Sequence, residues 1–266
     1  MSRTAHKLLS ASGGKAYEID QSLMFDSNDS SYLSRTPSSA GNLRTGTISF
    51  WTKRTVLGNL QMMFSSANSD AVSVGASDDY GIVYFYTDDS LVFYSGTTIF
   101  RTNRLFRDTS AWYHIYINYD TTQSTGSDRY AVYINGVEET SFSSSSTPSQ
   151  NTDFAFNNSN TLMVSAVNTS SSYKYNGYIA EFHNIDGTVK PVTDFGETDE
   201  DTGQWIPKKY TGGSYGTNGF YMPWKKNDRY SPYFNAHASS GILTADHADF
   251  AVGSGNFTME CWFYVD

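Results

Sequence analysis

The sequence predicts an all-β protein, an antiparallel sandwich of two packed sheets, and three observations carry that prediction. Segments rich in β-branched and aromatic residues alternate with clusters of Ser, Asn, Asp and Gly, which is the pattern of short strands joined by turns. No run longer than about ten residues carries the 3.6-residue period of an amphipathic helix. Aromatic residues make up 16% of the 266-residue chain and charged residues only 17%, so the outer faces must be neutral and polar; a helical protein would need far more Ala, Leu, Glu and Lys.

Taken in chain order, residues 1–16 are small and polar, with Gly13-Gly14 as a hinge and Arg3, Lys7 and Lys15 against no acidic residue. They read as an N-terminal arm, either a frayed tail or a segment ordered only by docking on an acidic or groove-like surface of a partner. Residues 17–195 hold the main domain. Its clearest strands are Thr47–Thr52, Gly81–Tyr86, Leu91–Tyr94, Trp112–Tyr119, Tyr130–Ile134 and Tyr178–His183. In the fourth of these, alternation puts Tyr113, Ile115, Ile117 and Tyr119 on one face and Trp112, His114, Tyr116 and Asn118 on the other; the first set is more apolar and should face the core. Phe50, Ile115, Ile117 and Ile134 are the expected interior. Asn135-Gly136 is a strong hairpin signal, because both residues accept the positive φ of a type I′ turn. Ser141–Gln150, with its run of serines, reads as a loop.

Residues 196–230 form a Gly- and Tyr-rich connector that opens on an acidic stretch. Its Trp205, Tyr210, Tyr215, Phe220, Tyr221 and Trp224 would not be left in water, so it should carry short structure of its own. From residue 231 the chain begins again. Ser22–Asp26 is echoed by Ser231–Asn235 and Thr47–Trp51 by Thr258–Trp262, with the Phe-to-Trp spacing two residues longer in the second copy. Residues 231–266 therefore read as the beginning of a second repeat, which either continues beyond Asp266 or completes another sheet.

The formal net charge of −9 comes without any Lys/Arg-rich stripe, which argues against a nucleic-acid partner. The single cysteine, Cys261, allows no intramolecular disulfide and suits a chain folded in a reducing cytoplasm. The opening residues lack the apolar core of a secretory signal or membrane span, so membrane insertion is not expected.

The residues resemble the laminin-G-like, concanavalin A-like jelly roll. The resemblance runs through Ser22–Asp26 with Ser31-Tyr32-Leu33, Thr47–Lys53, Ala111–Asp120, Val132–Glu139 and Tyr175–Phe182, in order, across residues 17–195. It implies a binding or structural fold and places Trp51 and Trp112 in the core. A narrower resemblance covers Thr202–Gly212 and Tyr215–Tyr221, which look like a segment of tail-fibre-like virion proteins of marine bacteriophages, where it follows such a lectin-like domain.

Little in the chain reads as catalytic. Glycoside hydrolases of this fold carry Glu-x-Asp-x-x-Glu; Glu18-Ile19-Asp20 begins that pattern, but Leu23 stands where the last Glu should be. A retaining glycosidase needs both carboxyls. Glu197–Asp201 reads as a solvated loop. The resemblance raises calcium as a cofactor at Asp78, Asp79, Asp88 and Asp89, but six to eight oxygens from several loops are needed, and surface solvation is the favoured reading. His6, His114, His183, His237 and His247 have no metal-ligand spacing. Gly253-Ser254-Gly255 is a turn rather than a nucleophile elbow, and Gly212–Gly216 is no phosphate loop. No catalytic or metal residues are assigned, no cofactor is required, and a bound sugar would stack on loop tyrosines that the sequence does not single out. The reading is a phage virion structural protein, a tail fibre or capsid decoration, made in the host cytoplasm. It would be homo-oligomeric, docked on other virion proteins, and able to bind host surface glycans. The alternative is a free or cell-surface lectin; an enzyme ranks third.

Overall fold

A computed structural model of the chain describes residues 17–29, 31–67, 80–167 and 173–224. The arm with Arg3, Lys7 and Lys15, the pair Asp78 and Asp79, and the second repeat at 231–266 lie outside the described residues. The strands begin with β1 (Leu23–Phe25), β2 (Leu33–Arg35), β3 (Thr45–Arg54) and β4 (Gln61–Ala67). Next come β5 (Gly81–Phe85), β6 (Ser90–Ser95), β7 (Thr97–Leu105) and β8 (Tyr113–Asp120). β9 (Tyr130–Ile134), β10 (Val137–Glu138), β11 (Phe142–Ser145), β12 (Thr161–Val164) and β13 (Gly177–Asp186) follow. The last described stretch supplies β14 (Gly196–Thr198), β15 (Trp205–Pro207) and β16 (Phe220–Met222).

These strands form two large antiparallel sheets. The first has the order β1-β13-β3-β8-β9-β10, with β16 also paired to β13; the second has the order β11-β7-β6-β5-β4-β12-β2; β14 and β15 make a separate two-stranded ribbon. Helical structure among the described residues is confined to the 3₁₀ turns Gly126–Asp128 and Val192–Asp194. The all-β sandwich is therefore as the sequence predicts. No described helix is long and apolar enough to cross a membrane.

The facing sides of the sheets enclose a core in which Phe50, Ile115, Ile117 and Ile134 are all buried, as expected from alternation. Phe50 stacks on Phe182 at 5.3 Å, and Phe93 on Phe156 at 5.3 Å. Burial of each such side chain contributes about 1.5–3 kcal/mol. Asn135 and Gly136 sit at φ 51° and 76°, the left-handed pair that the β9–β10 hairpin requires.

Two readings need correction. Ser141–Gln150 is not wholly loop, because β11 within it pairs with β7 at the sheet edge. There a polar strand is tolerated: Phe142 packs on Phe100 at 5.5 Å, and the flanking Ser143 and Ser146 hydroxyls donate to the Arg101 and Thr98 carbonyls. Trp112 is not core. It lies half-buried directly before β8, beside Tyr178, on the side that the period of two read from the sequence assigns it, so that period outweighs the family expectation.

Candidate functional site

The outer face of the first sheet gathers the polar and aromatic groups that strand alternation turns away from the core. Pairing across β13, β3 and β8 sets them in rows. His183 lies opposite Ser49 and Ser49 opposite Tyr116; Ala180 lies opposite Trp51 and Trp51 opposite His114; Tyr178 lies opposite Lys53. The stretch from 186 to 224 folds back over the first two of these rows. Asn218, itself buried, fixes its position: its N–H donates to Asp186 Oδ2 at 2.9 Å, and its side-chain amide donates to the Ser39 and Asn157 carbonyls at 2.8 and 2.9 Å.

His114 is fully buried in this layer. Its ring stacks on Trp51, 5.0 Å away, and meets the Trp205 ring edge to edge, 5.9 Å away. Trp205 Nε1 lies 3.0 Å from His114 Nδ1, and Ser49 Oγ lies 2.8 Å from His114 Nε2. An indole nitrogen can only donate, so Nδ1 is the acceptor and Nε2 carries the proton that Ser49 accepts. Burial, together with the nearby His183, pushes the His114 pKa down to about 3, and the ring is neutral at pH 7.

A second cluster surrounds Glu181. A register shift in β13 between Ala180 and His183 places Glu181 at φ 46°, a conformation that costs a non-glycine residue of the order of 1–2 kcal/mol. The shift turns its carboxylate into the covered layer, where Tyr17 and Tyr221 hydroxyls donate to Oε2 at 2.9 and 2.7 Å. His183 Nε2 is 3.8 Å from the same oxygen, and Nδ1 is 3.0 Å from the Tyr215 hydroxyl. Tyr221 stacks on the imidazole at 4.4 Å. Burial pushes the Tyr17 pKa up to about 12, with the Glu181 charge adding to it. Burial lowers the His183 pKa, against the opposing pull of Glu181. These groups satisfy one another, so the cluster acts as a clamp that holds 210–222 to the sheet.

The remaining row lies at the open end of the same face. Trp112, directly before β8, and Tyr178, in β13, have ring centroids 6.4 Å apart at 55°. Met24, paired with Tyr178, is 51% exposed. Asp108, in the loop before β8, accepts at Oδ1 from the Ser110 hydroxyl at 2.6 Å and the Ser110 N–H at 2.8 Å, and these hydrogen bonds hold its carboxyl below the ordinary range. A separate apolar cleft of about 190 Å³ opens between β2 and β16, with Phe64 and Val164 in its wall and Arg35 at its rim.

The acidic residues singled out in the sequence are engaged in structural contacts. Asp89 is buried rather than solvated. It pairs with Arg54, itself fully buried, at 3.0 Å, and with Arg107 at 3.1 Å, and it accepts the Gly58 N–H at 2.8 Å. Burial alone would raise its carboxyl; these hydrogen bonds and the Arg54 charge hold it below the ordinary carboxylate range. Asp88 pairs with Arg101 at 2.7 Å, whose guanidinium lies over Tyr86 at 4.0 Å. Within Glu197–Asp201, Asp199 is no solvated residue: it caps the turn, accepting from Asp201, Thr202 N–H and the Thr202 hydroxyl. Glu18 and Asp20 are exposed and precede β1, while Leu23 packs against the core. Among the described residues, no group of three or more His, Cys, Asp or Glu is placed to hold a metal ion. Sequence reasoning missed Glu181 and Tyr17 altogether. No local signal marks them, since the bulge and the fold-back that unite them are long-range features.

The geometry joins a match of sequence. Residues 26–191 match the Laminin_G_3 profile, described as the concanavalin A-like lectin/glucanases superfamily. The chain belongs to this superfamily. Solved structures of similar fold include a heptameric SAP-like pentraxin from Limulus polyphemus, with 15% identity, TM-score 0.40, and coverage of 61% of this chain and 72% of that one. Domain 4 of AbnA, an extracellular GH43 arabinanase from Geobacillus stearothermophilus in complex with arabinotriose, gives 20% identity, TM-score 0.39 and coverage of 56% and 64%. The CBM40 module of a Ruminococcus gnavus sialidase, bound to α2,3 sialyllactose, gives 15%, 0.38, and 55% and 88%. No curated protein sequence matches the chain.

Proposed function

We propose that this chain is a non-catalytic, lectin-like structural protein of a bacteriophage virion, a tail fibre or capsid decoration that presents its sandwich for attachment. Membership of the lectin superfamily supports the glycan-binding part. The virion part rests on our reading of the segment 202–221 as similar to one in phage virion proteins, and it is supported by the way that segment is built into the sandwich. Trp205 bonds His114 and Tyr221 bonds Glu181, so the segment and the lectin-like domain form one unit rather than two joined by a free linker. The net charge of −9 favours protein and neutral-glycan partners over nucleic acid. Asp88 and Asp89, engaged by arginines, leave no calcium requirement in this reading. The partners are other virion proteins and further copies of the chain, and the place of action is the particle assembled in the host cytoplasm.

Mass analysis of purified native particles tests this, combined with immunogold labelling. Stoichiometric presence of the chain supports the proposal. Its absence from particles, with free protein that binds glycans, would favour the alternative of a free or cell-surface lectin. Release of reducing ends from polysaccharides, abolished by Glu18→Gln, would overturn the non-catalytic part.

A further inference from the structure

We infer that the cleft between β2 and β16 binds a short monocarboxylate, with an apolar body of about six carbons in the cleft and its head group on Arg35. Neither the glycan nor the virion reading bears on this site. The fold leaves one charge unmatched. Arg44, Arg54, Arg101, Arg104 and Arg107 each pair with a carboxylate, and Arg129 donates to three backbone carbonyls. Arg35 is the one arginine among the described residues with neither. Its Nη1 reaches the Asn218 carbonyl at 3.5 Å, a long contact that leaves most of its N–H donors open. The register of β2 sets this guanidinium beside apolar walls. Leu33 lies opposite Val164 and Arg35 opposite Leu162, and directly opposed residues share a face of the sheet. Leu162 and Val164 belong to the core, so Leu33 and Arg35 share the inward face of an edge strand. Phe220 and Met222 of β16 close the other side of the cleft.

Size, lining and charge together select the ligand. At about 190 Å³ the cleft is somewhat larger than the ~150 Å³ cavity that takes benzene, which limits the body to a short chain or one ring. Its walls would strip water from the hydroxyls of a sugar without returning hydrogen bonds. The guanidinium calls for an anion, and its planar fork matches a carboxylate with two parallel N–H···O bonds. An inward-pointing charge on an edge strand discourages pairing with another sheet, so a protein strand is not the occupant. Arg35 is exposed, which keeps the head group at the rim and hydrated while the body lies below it. The net −9 of the chain does not forbid an acid here. No acidic residue lines the cleft, and charges farther than about 8 Å are screened at physiological salt. The walls are also preorganised: Phe220 stacks on Phe182 at 5.8 Å and meets Phe64 edge-on at 6.3 Å, while β2 is held by β12.

The test uses the full chain labelled with methyl-¹³C methionine. The Met222 methyl resonance, assigned from Met222→Leu, is followed during titration with sodium hexanoate, with 1-hexanol and hexylammonium as the neutral and cationic counterparts. Hexanoate is expected to shift Met222 saturably while the exposed Met24 stays still. 1-Hexanol should bind roughly tenfold or more weakly, and hexylammonium not at all. Arg35→Met keeps the stem of the side chain and removes its charge. In that variant the affinity for hexanoate should fall by roughly tenfold or more, to that of 1-hexanol, whose own affinity should hardly change; Arg35→Lys should retain part. Unmoved resonances of Met62 and Met63, both fully buried, show that each variant is folded. A Met222 resonance that ignores hexanoate would overturn the site. Hexanoate binding that survives Arg35→Met, or that 1-hexanol or hexylammonium equals, would overturn the role of Arg35 and with it the choice of a carboxylate.

Discussion

Trp205 donates its indole N–H to Nδ1 of His114 across 3.0 Å, and this one bond joins the stretch that follows the sandwich to a buried strand at its centre. It also fixes the tautomer of a ring that has no access to water. Trp205→Phe keeps most of the apolar cover but leaves a buried acceptor unpaired. The expected cost is about 1–3 kcal/mol, measurable by urea unfolding.

Trp205 also constrains the β9–β10 turn. A Cβ on Gly136 would lie 2.3 Å from the Trp205 ring, at a φ of +76°. Gly58 has nearly the same φ, +75°, with nothing within 4 Å of the added carbon. Gly58→Ala should therefore show backbone strain alone, about 1–2 kcal/mol. Gly136→Ala should cost a further ~1–3 kcal/mol of overpacking. Equal losses in the two variants would mean that Trp205 yields freely and does not hold the turn.

The two buried histidines make stability depend on pH in a definite direction. His114, whose pKa falls to about 3, and His183, also lowered, take up protons in the unfolded chain before they do so in the folded one. Below the unfolded value of about 6.5 the unfolded state therefore binds more protons, and stability falls as pH falls, by up to about 1.4 kcal/mol per pH unit for each fully linked histidine. Between roughly pH 6.5 and 4.5 these two residues supply the slope among the described residues, because the carboxylates titrate lower. His114→Gln should flatten that slope while leaving the steeper loss below pH 4, where Asp89 and Asp120, both held low in the folded state, become protonated. An unchanged slope between pH 4.5 and 6.5 would contradict the assignment.

The sandwich was legible because its strands obey simple periods. The alternation in β8 sorted Ile115 and Ile117 from His114 and Tyr116, and Asn135-Gly136 announced its turn. β4 and β12 escaped notice because strands covered on both sides lose alternation: every residue of β4 is buried. The aromatics of 205–224 correctly signalled that they pack, and they are partly buried, but not which face they would cover. That choice is made by contacts such as Trp205 to His114, 91 residues apart in the chain. Trp112 teaches a related point. The pattern of its own strand placed it outside the core, and the family expectation that placed it inside was the weaker guide.

The Arg54–Asp89 pair gives a fourth prediction. Arg54 is fully buried, donates to the Phe106 carbonyl at 2.8 Å and lies over the Phe85 ring at 4.2 Å. Removing Asp89 leaves that guanidinium without its counter-charge. Asp89→Ala is expected to cost about 3–5 kcal/mol. Arg107→Ala removes only the more exposed partner and should cost no more than about 1 kcal/mol. If both variants lose similar stability in chemical denaturation, the buried pair is not the dominant contact of this corner.

The last prediction concerns the Glu181 clamp, where two hydroxyls share one acceptor. Tyr17 and Tyr221 both donate to Oε2 of Glu181, at 2.9 and 2.7 Å, and their oxygens are 3.4 Å apart. Tyr17→Phe removes one donor while Tyr221 still serves the carboxylate, so the expected cost is about 1.5–3 kcal/mol. Tyr221→Phe should behave alike, for the same reason. With both hydroxyls gone, only the distant His183 Nε2, 3.8 Å away, faces a carboxylate that remains buried. The double variant should therefore lose more than the sum of the singles, by an interaction energy of ~0.5–3 kcal/mol. Glu181→Gly supplies the control on the same site. It relieves the backbone strain at φ 46° and removes the buried acceptor, so in that background the two tyrosine substitutions should become nearly additive and each should cost less. Additivity within about 0.5 kcal/mol in the wild-type background would show that the two hydroxyls act independently and that the carboxylate is not what joins Tyr17 to Tyr221.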